Sequence, residues 1–259
     1  MSTAPDPSPY AIEVHDLTVG YTRKPVLYGI DAAITPGQLV GIMGPNGAGK
    51  STLIKAIMDL LKPSSGWIKI YGESYKDSPK RLAYVPQRRE VDWDFPVTVM
   101  DVVLMGRYGH LGLIKRPGAR DRKIASECLE KVNMLPYANR QIANLSGGQQ
   151  QRVFLARALA QEGDIYLMDE PFVGVDASTE SAIIELMRDL RNEGKTLLVV
   201  HHDLPTARRY FDSLLLLNLR LIAFGPTKEV FQAEHLQRAY GGRLTILSEV
   251  ADYVGETQE

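Results

Sequence analysis

The sequence predicts an α/β protein built on a mostly parallel sheet, and three observations predict it. An apolar strand, Leu39 to Met43, runs straight into the loop Gly44-Pro45-Asn46-Gly47-Ala48-Gly49-Lys50-Ser51-Thr52 and then into a helix, the strand, loop and helix order that such a glycine-rich loop requires. Short apolar strands alternate with helices that are apolar on one stripe, which suits a parallel sheet covered on both faces. From Arg88 to Gln161 the strand character lapses and helical stretches take over, which reads as a helical insert.

The elements follow in order. Ala11 to Val19 and Ile30 to Ile42 read as short strands with a turn at Pro36-Gly37, where the two strongest turn formers interrupt the apolar pattern. A helix over Ser51 to Leu61 stops at Pro63. Trp67 to Tyr71 and Leu82 to Val85 are further short strands bounded by glycine and proline. Thr98 and Asp101 form a capping-box candidate ahead of Val102, Val103 and Met105, and Arg120 to Asn133 and Gly148 to Gln161 read as two more helices. Strand character returns at Asp164 to Met168. A helix then carries Ala182, Ile183, Leu186, Met187 and Leu190 on one stripe, and Thr196 to Val200 is a buried strand.

At 259 residues, with 44% hydrophobic and 24% charged positions, the chain has ordinary globular composition and the length of one large domain or two lobes. Its 30 basic and 31 acidic residues leave a net charge of -1, which gives no global attraction to nucleic acid or acidic lipid. The single cysteine, Cys128, excludes an internal disulfide, and with Ile124, Leu129 and Val132 at helical spacing it reads as core packing. The proline-rich start lacks a basic segment followed by an apolar one, so it is expected to be a disordered leader and not a signal peptide. The most apolar run, Leu214 to Phe224, is broken by Asn218 and Arg220 and falls short of the ~20 apolar residues that span a bilayer. Any membrane part is expected from another chain.

Four stretches carry chemistry. Gly44 to Ser51 matches G-x-x-x-x-G-K-S in full: glycines free backbone N–H groups for phosphate oxygens, Lys50 reaches the outer phosphates, and the Ser51 hydroxyl suits Mg²⁺. Ile165 to Glu170 is an apolar strand ending in two acids, of which Asp169 suits Mg²⁺ and Glu170 suits the orientation and deprotonation of an attacking water. Thr196 to Asp203 ends a strand in His201 and His202. Neighbouring strand residues point to opposite faces and no further ligand cluster follows, so a metal site is rejected; His202 is the candidate for a γ-phosphate and His201 is open to a structural role. Finally, Ser146-Gly147-Gly148-Gln149 opens a helix with an N-cap serine and two glycines, a second anion-binding pattern in a chain that already has one. Two single residues are weaker candidates. Gln87 follows a strand end and Pro86, where an amide meets Mg²⁺ and the attacking water or is an ordinary surface side chain; Tyr21 stacks on adenine or simply packs in its turn.

Gly44 to Thr52, Gln87, Leu145 to Gln149, the Asp169-Glu170 strand end and His202 occur in the order seen in the ATP-binding subunits of ABC transporters, which this chain resembles from about Tyr10 to about Leu247. The resemblance implies a P-loop NTPase (RecA-like) fold with an N-terminal antiparallel β subdomain and an inserted helical subdomain. Residues 10–87 and 162–247 would form the core, residues 88–161 the helical part, and residues 1–9 and 248–259 flexible tails. It also implies head-to-tail homodimers in which Ser146-Gly147-Gly148-Gln149 of one subunit closes over ATP held by the loop of the other. By the same resemblance Ser51, Gln87 and Asp169 hold Mg²⁺, Lys50, Glu170 and His202 serve hydrolysis, Tyr21 stacks on adenine, Gln87 switches between nucleotide and membrane partner, and Asp176 signals across the dimer.

A finer similarity lies in Tyr84 to Val99, continued by Val103 to His110, in Glu170-Pro171-Phe172 with Gly174-Val175-Asp176, and in the doubled histidine. These look like the subgroup serving manganese, zinc or iron importers, which implies an integral membrane permease as partner, a solute-binding protein acting indirectly, and a peripheral place on the cytoplasmic face of the membrane. Trp93 and Phe95 beside Asp92 and Asp94 suggest a docking surface for a cytoplasmic helix of the permease, or else aromatic anchors of the helical lobe. The rivals are an ATPase of an iron-chelate, haem or cobalamin importer and a non-transport ATPase of DNA repair or translation. The short insert, the single module and the lack of a basic stripe speak against nucleic acid. No transport-metal site is expected in this chain.

Overall fold

A computed structural model describes residues 8–21, 24–88, 91, 93, 95–112 and 115–241. Arg89, Glu90, Asp92 and Asp94 of the expected docking stretch lie outside the described residues, as do most of the expected leader and the tail 248–259. In chain order the elements are β1 (Ile12–Val19), β2 (Leu27–Ile34), β3 (Leu39–Met43), α1 (Lys50–Ile57), β4 (Ser65–Ile70) and β5 (Leu82–Val85). Next come α2 (Val99–Met105), α3 (Tyr108–Leu111), α4 (Ala119–Lys131), α5 (Gly147–Leu159), β6 (Ile165–Met168), α6 (Ala177–Asn192) and β7 (Thr196–Val200). The last are α7 (Leu204–Tyr210), β8 (Ser213–Asn218), β9 (Arg220–Pro226), α8 (Thr227–Val230) and α9 (Ala233–Tyr240). The chain divides into two compact units, Met1–Ser78 with Leu198–Glu259, and Pro79–Leu197.

In the first unit β1 pairs antiparallel with β2 on one side and β4 on the other, Ile12 facing both Ile34 and Ile70. Alternation along β1 buries Ile12 and Val14 and exposes His15, so this sheet has one dry and one wet face. β3 runs parallel to β8, Val40 opposite Ser213 and Met43 opposite Leu216, and every residue of β3 is buried. A strand buried on both faces reads as a continuous apolar run, which is what Leu214 to Leu217 also shows. The apolar run Leu214 to Phe224 is therefore a hairpin: Asn218 pairs with Arg220 across Leu219, which sits at φ 59.

Several expected boundaries shift by a residue or more, β4 to Ser65–Ile70, α4 to Ala119–Lys131 and α5 to Gly147–Leu159 among them, and two of the shifts have a local reason on the backbone. α1 ends at Ile57 and not at Leu61, because Asp59 takes a left-handed φ of 58 and both Leu60 and Leu61 fold back to donate to the Lys55 carbonyl. β2 starts at Leu27 and not at Ile30, since the Val26 N–H bonds the Val19 carbonyl at 2.8 Å and so starts the pairing with β1 earlier.

The second unit contains β5 parallel to β6, Leu82 opposite Ile165 and Val85 opposite Met168. α2, α4 and α5 pack on one another, and Val102, Val103, Leu129, Val153 and Ala156 on them are all buried. The Thr98 and Asp101 capping box forms as expected: Asp101 N–H donates to Thr98 Oγ1 at 3.2 Å and Thr98 N–H to Asp101 Oδ2 at 3.1 Å. Arg107, only 4% exposed, ties this bundle together by donating to Asp121 at 3.2 Å and to Glu162 and the Ala160 carbonyl at 2.6 Å each. Cys128 is buried on α4, and burial pushes its thiol up to about 11, so it is an inert packing residue. On α6 the buried stripe is Thr179, Ile183, Ile184, Met187 and Leu190. Ile183, Met187 and Leu190 are buried as expected, whereas Ala182 is exposed and Leu186 half-buried, their places on the face being taken by Thr179 and Ile184. Among the described residues no helix is long and apolar enough to cross a membrane.

Candidate functional site

In the first unit the loop between β3 and α1 is shaped by backbone that only glycine adopts easily. Gly44 has φ 148, and a β-carbon there would stand 2.0 Å from the Leu217 carbonyl oxygen, so no side chain fits. Lys50 opens α1 and is 6% exposed; its Nζ donates to the carbonyls of Gly44 at 2.7 Å and Pro45 at 3.0 Å. The ammonium is thus held inside the loop's own ring, with Ala48 N–H closing the turn onto Pro45 at 3.1 Å. Asn46 and Gly47 are exposed at the loop tip, Ser51 is half-buried and Thr52 buried. A buried cation beneath an exposed loop tip at a helix start is suited to a polyanion. The Tyr21 ring is 56% exposed with Lys55 Nζ 6.0 Å from its centre, leaving a broad aromatic surface for a flat partner.

The two histidines separate as strand alternation demands. His201 is 2% exposed, its backbone N–H continues to Ile42 at 3.0 Å, and its Nε2 meets Thr206 Oγ1 at 2.7 Å. Thr206 in turn donates to Asp203 Oδ2 at 2.7 Å, so His201 is the donor to Thr206 and carries its proton on Nε2. His202 is exposed. Burial is the main cause that lowers His201 from 6.5 to about 4, so the folded protein keeps it neutral where an unfolded chain would already be protonated. The stabilisation is full above pH 6.5 and is lost as pH falls toward 4, by about 3 kcal/mol at most. Denaturant midpoints of the wild type at pH 7 and pH 4.5 will differ by more than those of His201→Gln; equal differences would mean that other groups carry the acid sensitivity.

The second unit holds the remaining candidates. Asp169 follows β6, is 1% exposed, and its N–H bonds the Val85 carbonyl at 3.0 Å. Glu170 sits next at φ 51, a left-handed conformation that costs a non-glycine residue about 1 kcal/mol or more. That turn carries its carboxylate to Gln87, whose Nε2 donates to Glu170 Oε2 at 2.5 Å. Gln87 and Glu170, 83 residues apart, are therefore one constellation. At α5, Ser146 caps the helix and Gln149 answers it: Gln149 N–H donates to Ser146 Oγ at 3.4 Å, and Ser146 N–H to Gln149 Oε1 at 3.0 Å. Asp176 caps α6, accepting from Thr179 N–H at 2.7 Å and Ser178 Oγ at 2.9 Å, and these bonds, Thr179 first, hold its carboxyl below the usual range. Each glycine of the α5 start meets a side chain of its own unit: a β-carbon on Gly147 would stand 3.1 Å from the Arg88 guanidinium, and one on Gly148 would stand 3.3 Å from Thr179 Oγ1.

Lys50, Ser51, Tyr21, His201 and His202 thus belong to the first unit, and Gln87, Ser146, Asp169, Glu170 and Asp176 to the second. Sequence reasoning missed Arg88, Thr179 and Thr206. Arg88 was hidden in an ordinary basic pair, whereas Asp176 and Thr179 form an Asp-x-x-Thr capping spacing that was open to detection. Trp93 is an anchor, its Nε1 donating to the Arg88 carbonyl at 2.9 Å and its ring 4.9 Å from that of Phe154. Phe95, 56% exposed, lies with Trp93, Val97, Met105 and Phe154 on an apolar cavity of about 310 Å³. Among the described residues no three His, Cys, Asp or Glu side chains are grouped to hold a metal ion.

Residues 27–173 match the family described as ABC transporter. The manganese transport system ATP-binding protein of Bacillus subtilis is 60% identical over 240 residues, covering 93% of this chain and 96% of that one. The zinc transport system ATP-binding protein of Treponema pallidum is 58% identical over 236 residues, 91% and 89% of the two chains. Among solved structures, an inward-facing metal-chelate type ABC transporter aligns with a TM-score of 0.80 at 28% identity, over 90% and 89% of the chains. A dimeric ATP-binding cassette in a post-hydrolysis state with ADP and Pi aligns with a TM-score of 0.72 at 30% identity, over 83% and 98%.

Proposed function

The chain belongs to the ATP-binding subunits of ABC transporters, ATPases of the α/β P-loop NTPase fold, and from that premise we propose that it powers the import of a divalent metal, manganese first and zinc next. One observation carries the metal reading: 60% and 58% identity to manganese and zinc system subunits, over nearly whole chains, against 28% to the metal-chelate type transporter. That difference favours free metal over an iron-chelate, haem or cobalamin cargo. The cargo crosses through a separate permease and is not held by this subunit.

In this reading the loop Gly44, Pro45, Asn46, Gly47, Ala48, Gly49, Lys50, Ser51 and Thr52 takes the ATP phosphates, and Lys50 leaves its carbonyl ring for them. Ser51, Asp169 and Gln87 would hold Mg²⁺, since their hydroxyl, carboxylate and amide oxygens suit a hard cation. Mg²⁺ would neutralise charge on the phosphates. Glu170 deprotonates the attacking water and Gln87 fixes the carboxylate's orientation through their 2.5 Å bond. His202, exposed and paired in sequence with the rigid His201, meets the γ-phosphate, and Tyr21 stacks on adenine. The start of α5 at Ser146, Gly147, Gly148 and Gln149 closes over a second subunit's ATP, and Asp176 lies at that dimer interface. The dimeric ADP and Pi cassette among the structural neighbours supports such pairing. The permease's cytoplasmic segment rests against Phe95 at the apolar cavity, which keeps the subunit peripheral on the cytoplasmic face; a solute-binding protein acts only through the permease.

Manganese-limited cells lacking their own importer will recover manganese uptake when this chain is supplied with its permease, and Ser146→Arg will abolish the recovery. Uptake of a ferric chelate in place of manganese would overturn the cargo assignment.

A further inference from the structure

Arg88 lies beside the α5 start, the loop ahead of α6 and the Trp93 ring together. Its Nη2 donates to Gln150 Oε1 at 3.0 Å, and Gln150 is 4% exposed and donates on to the Ile142 carbonyl at 3.2 Å. Its guanidinium lies flat over Gly147, with Cζ and Nη1 both 3.1 Å from where a β-carbon would be, and Nη1 is 3.6 Å from the same point on Gly174. Its Cζ is also 5.8 Å from the centre of the Trp93 ring, whose Nε1 is bonded to the Arg88 carbonyl. The preceding residue, Gln87, holds Glu170. Arg88 Nε is buried with no hydrogen-bond partner among the described residues, so the group is held in this place by the Nη2 bond to Gln150 and by its flat face against Gly147.

We propose that Arg88 is a positioning residue that couples the Trp93 cavity to the start of α5, setting the Ser146 to Gln149 backbone according to what occupies the cavity. It touches no reacting atom. A partner that presses on Phe95 and Trp93 moves the indole. Because the indole holds the Arg88 carbonyl and faces its guanidinium, Arg88 moves with it, carrying Gln150 and the backbone of Gly147. Gly147 is glycine on this account because the guanidinium needs the space above it. A lysine does not replace the group, since one ammonium cannot hold Gln150 and present a plane to both Gly147 and Trp93. The inference rests on the proposed docking of the permease at Phe95.

The test uses the full chain in a Trp67→Phe background, assembled with a permease whose tryptophans are replaced by phenylalanine, so that Trp93 is the single indole. Mg-ATP will change the Trp93 emission of this protein. Arg88→Met will remove that change and lower kcat about tenfold, while KM for ATP moves less than about twofold, as expected when a charge-assisted tie is lost away from the nucleotide. A normal emission change with normal kcat in Arg88→Met would overturn the proposal, and so would a large rise in KM, which would place Arg88 on the nucleotide itself. Should Arg88→Met fail to fold by its thermal midpoint, Arg88→Lys is read by the same criteria. Phe95→Glu separates the two ideas: permease assembly that survives it overturns the docking reading and with it the coupling, whereas lost assembly beside a normal Arg88→Met overturns the coupling alone.

Discussion

Lys50→Ala protein will not retain ATP at concentrations that saturate the wild type. The lysine is 6% exposed and its charge is held by two backbone carbonyls, those of Gly44 and Pro45 at 2.7 and 3.0 Å. Phosphate oxygens are stronger partners for an ammonium than neutral carbonyls, so the group has a driving force to transfer to them. A hydrogen bond between charged groups is worth about 1.5–3 kcal/mol, and the lysine reaching two outer phosphates supplies more than one, which places the expected loss of affinity near 10²-fold or greater. Lys50→Arg will not restore binding, because the ring that closes on a single ammonium has no room for a planar fork of five donors. Titration with a fluorescent ATP analogue measures the loss, and the thermal midpoint checks that the loop still folds. ATP affinity within about threefold of wild type, a difference under 1 kcal/mol, would overturn the phosphate-loop assignment.

How much of this was legible beforehand depends on how far apart in sequence the partners are. The strands Leu82–Val85 and Thr196–Val200 have the limits that apolar patterning sets, and the Thr98 and Asp101 capping box forms because both partners lie within one helical turn. The same locality made Ser146 readable as an N-cap. The end of α1 was only weakly legible: Asp59 is a residue type that enters the left-handed conformation more readily than most, yet the apolar Leu60 and Leu61 continue the helical pattern past it. On α6 Ile183, Met187 and Leu190 are buried as expected, and only the edge of the face was misplaced, since Ala182 and Ile184 are equally compatible with a 3.6-residue period and only packing chooses between them. The bond between Gln87 and Glu170 spans 83 residues and depends on the positive φ of Glu170. Residue type proposed each of them singly, and only the fold makes them one group. Arg88 is the extreme case. Nothing in its neighbourhood distinguishes it, and its meaning comes wholly from Gln150, Gly147 and Trp93.

Glu170→Gln will bind Mg-ATP and fail to turn it over. The substitution is nearly isosteric, and both residues bear the same cost at φ 51, so the backbone that positions the group is undisturbed. The new amide oxygen still accepts from Gln87 Nε2, so the constellation keeps its shape and loses only the negative charge and the proton acceptor. Loss of a general base costs about 10²–10⁴-fold in kcat, with KM for ATP little changed. Because the γ-phosphate is never released, the ATP-bound state accumulates, and light scattering will report a doubled mass with Mg-ATP and a single mass without it. Adding Ser146→Arg will remove the doubling. It deletes the cap that accepts from Gln149 N–H at 3.4 Å and places a large cation where the closed dimer needs bare helix amides, while the lost cap costs the fold only about 1 kcal/mol. Normal turnover by Glu170→Gln would assign the base to another group. A doubling that survives Ser146→Arg would mean that the subunits meet through a surface other than the start of α5.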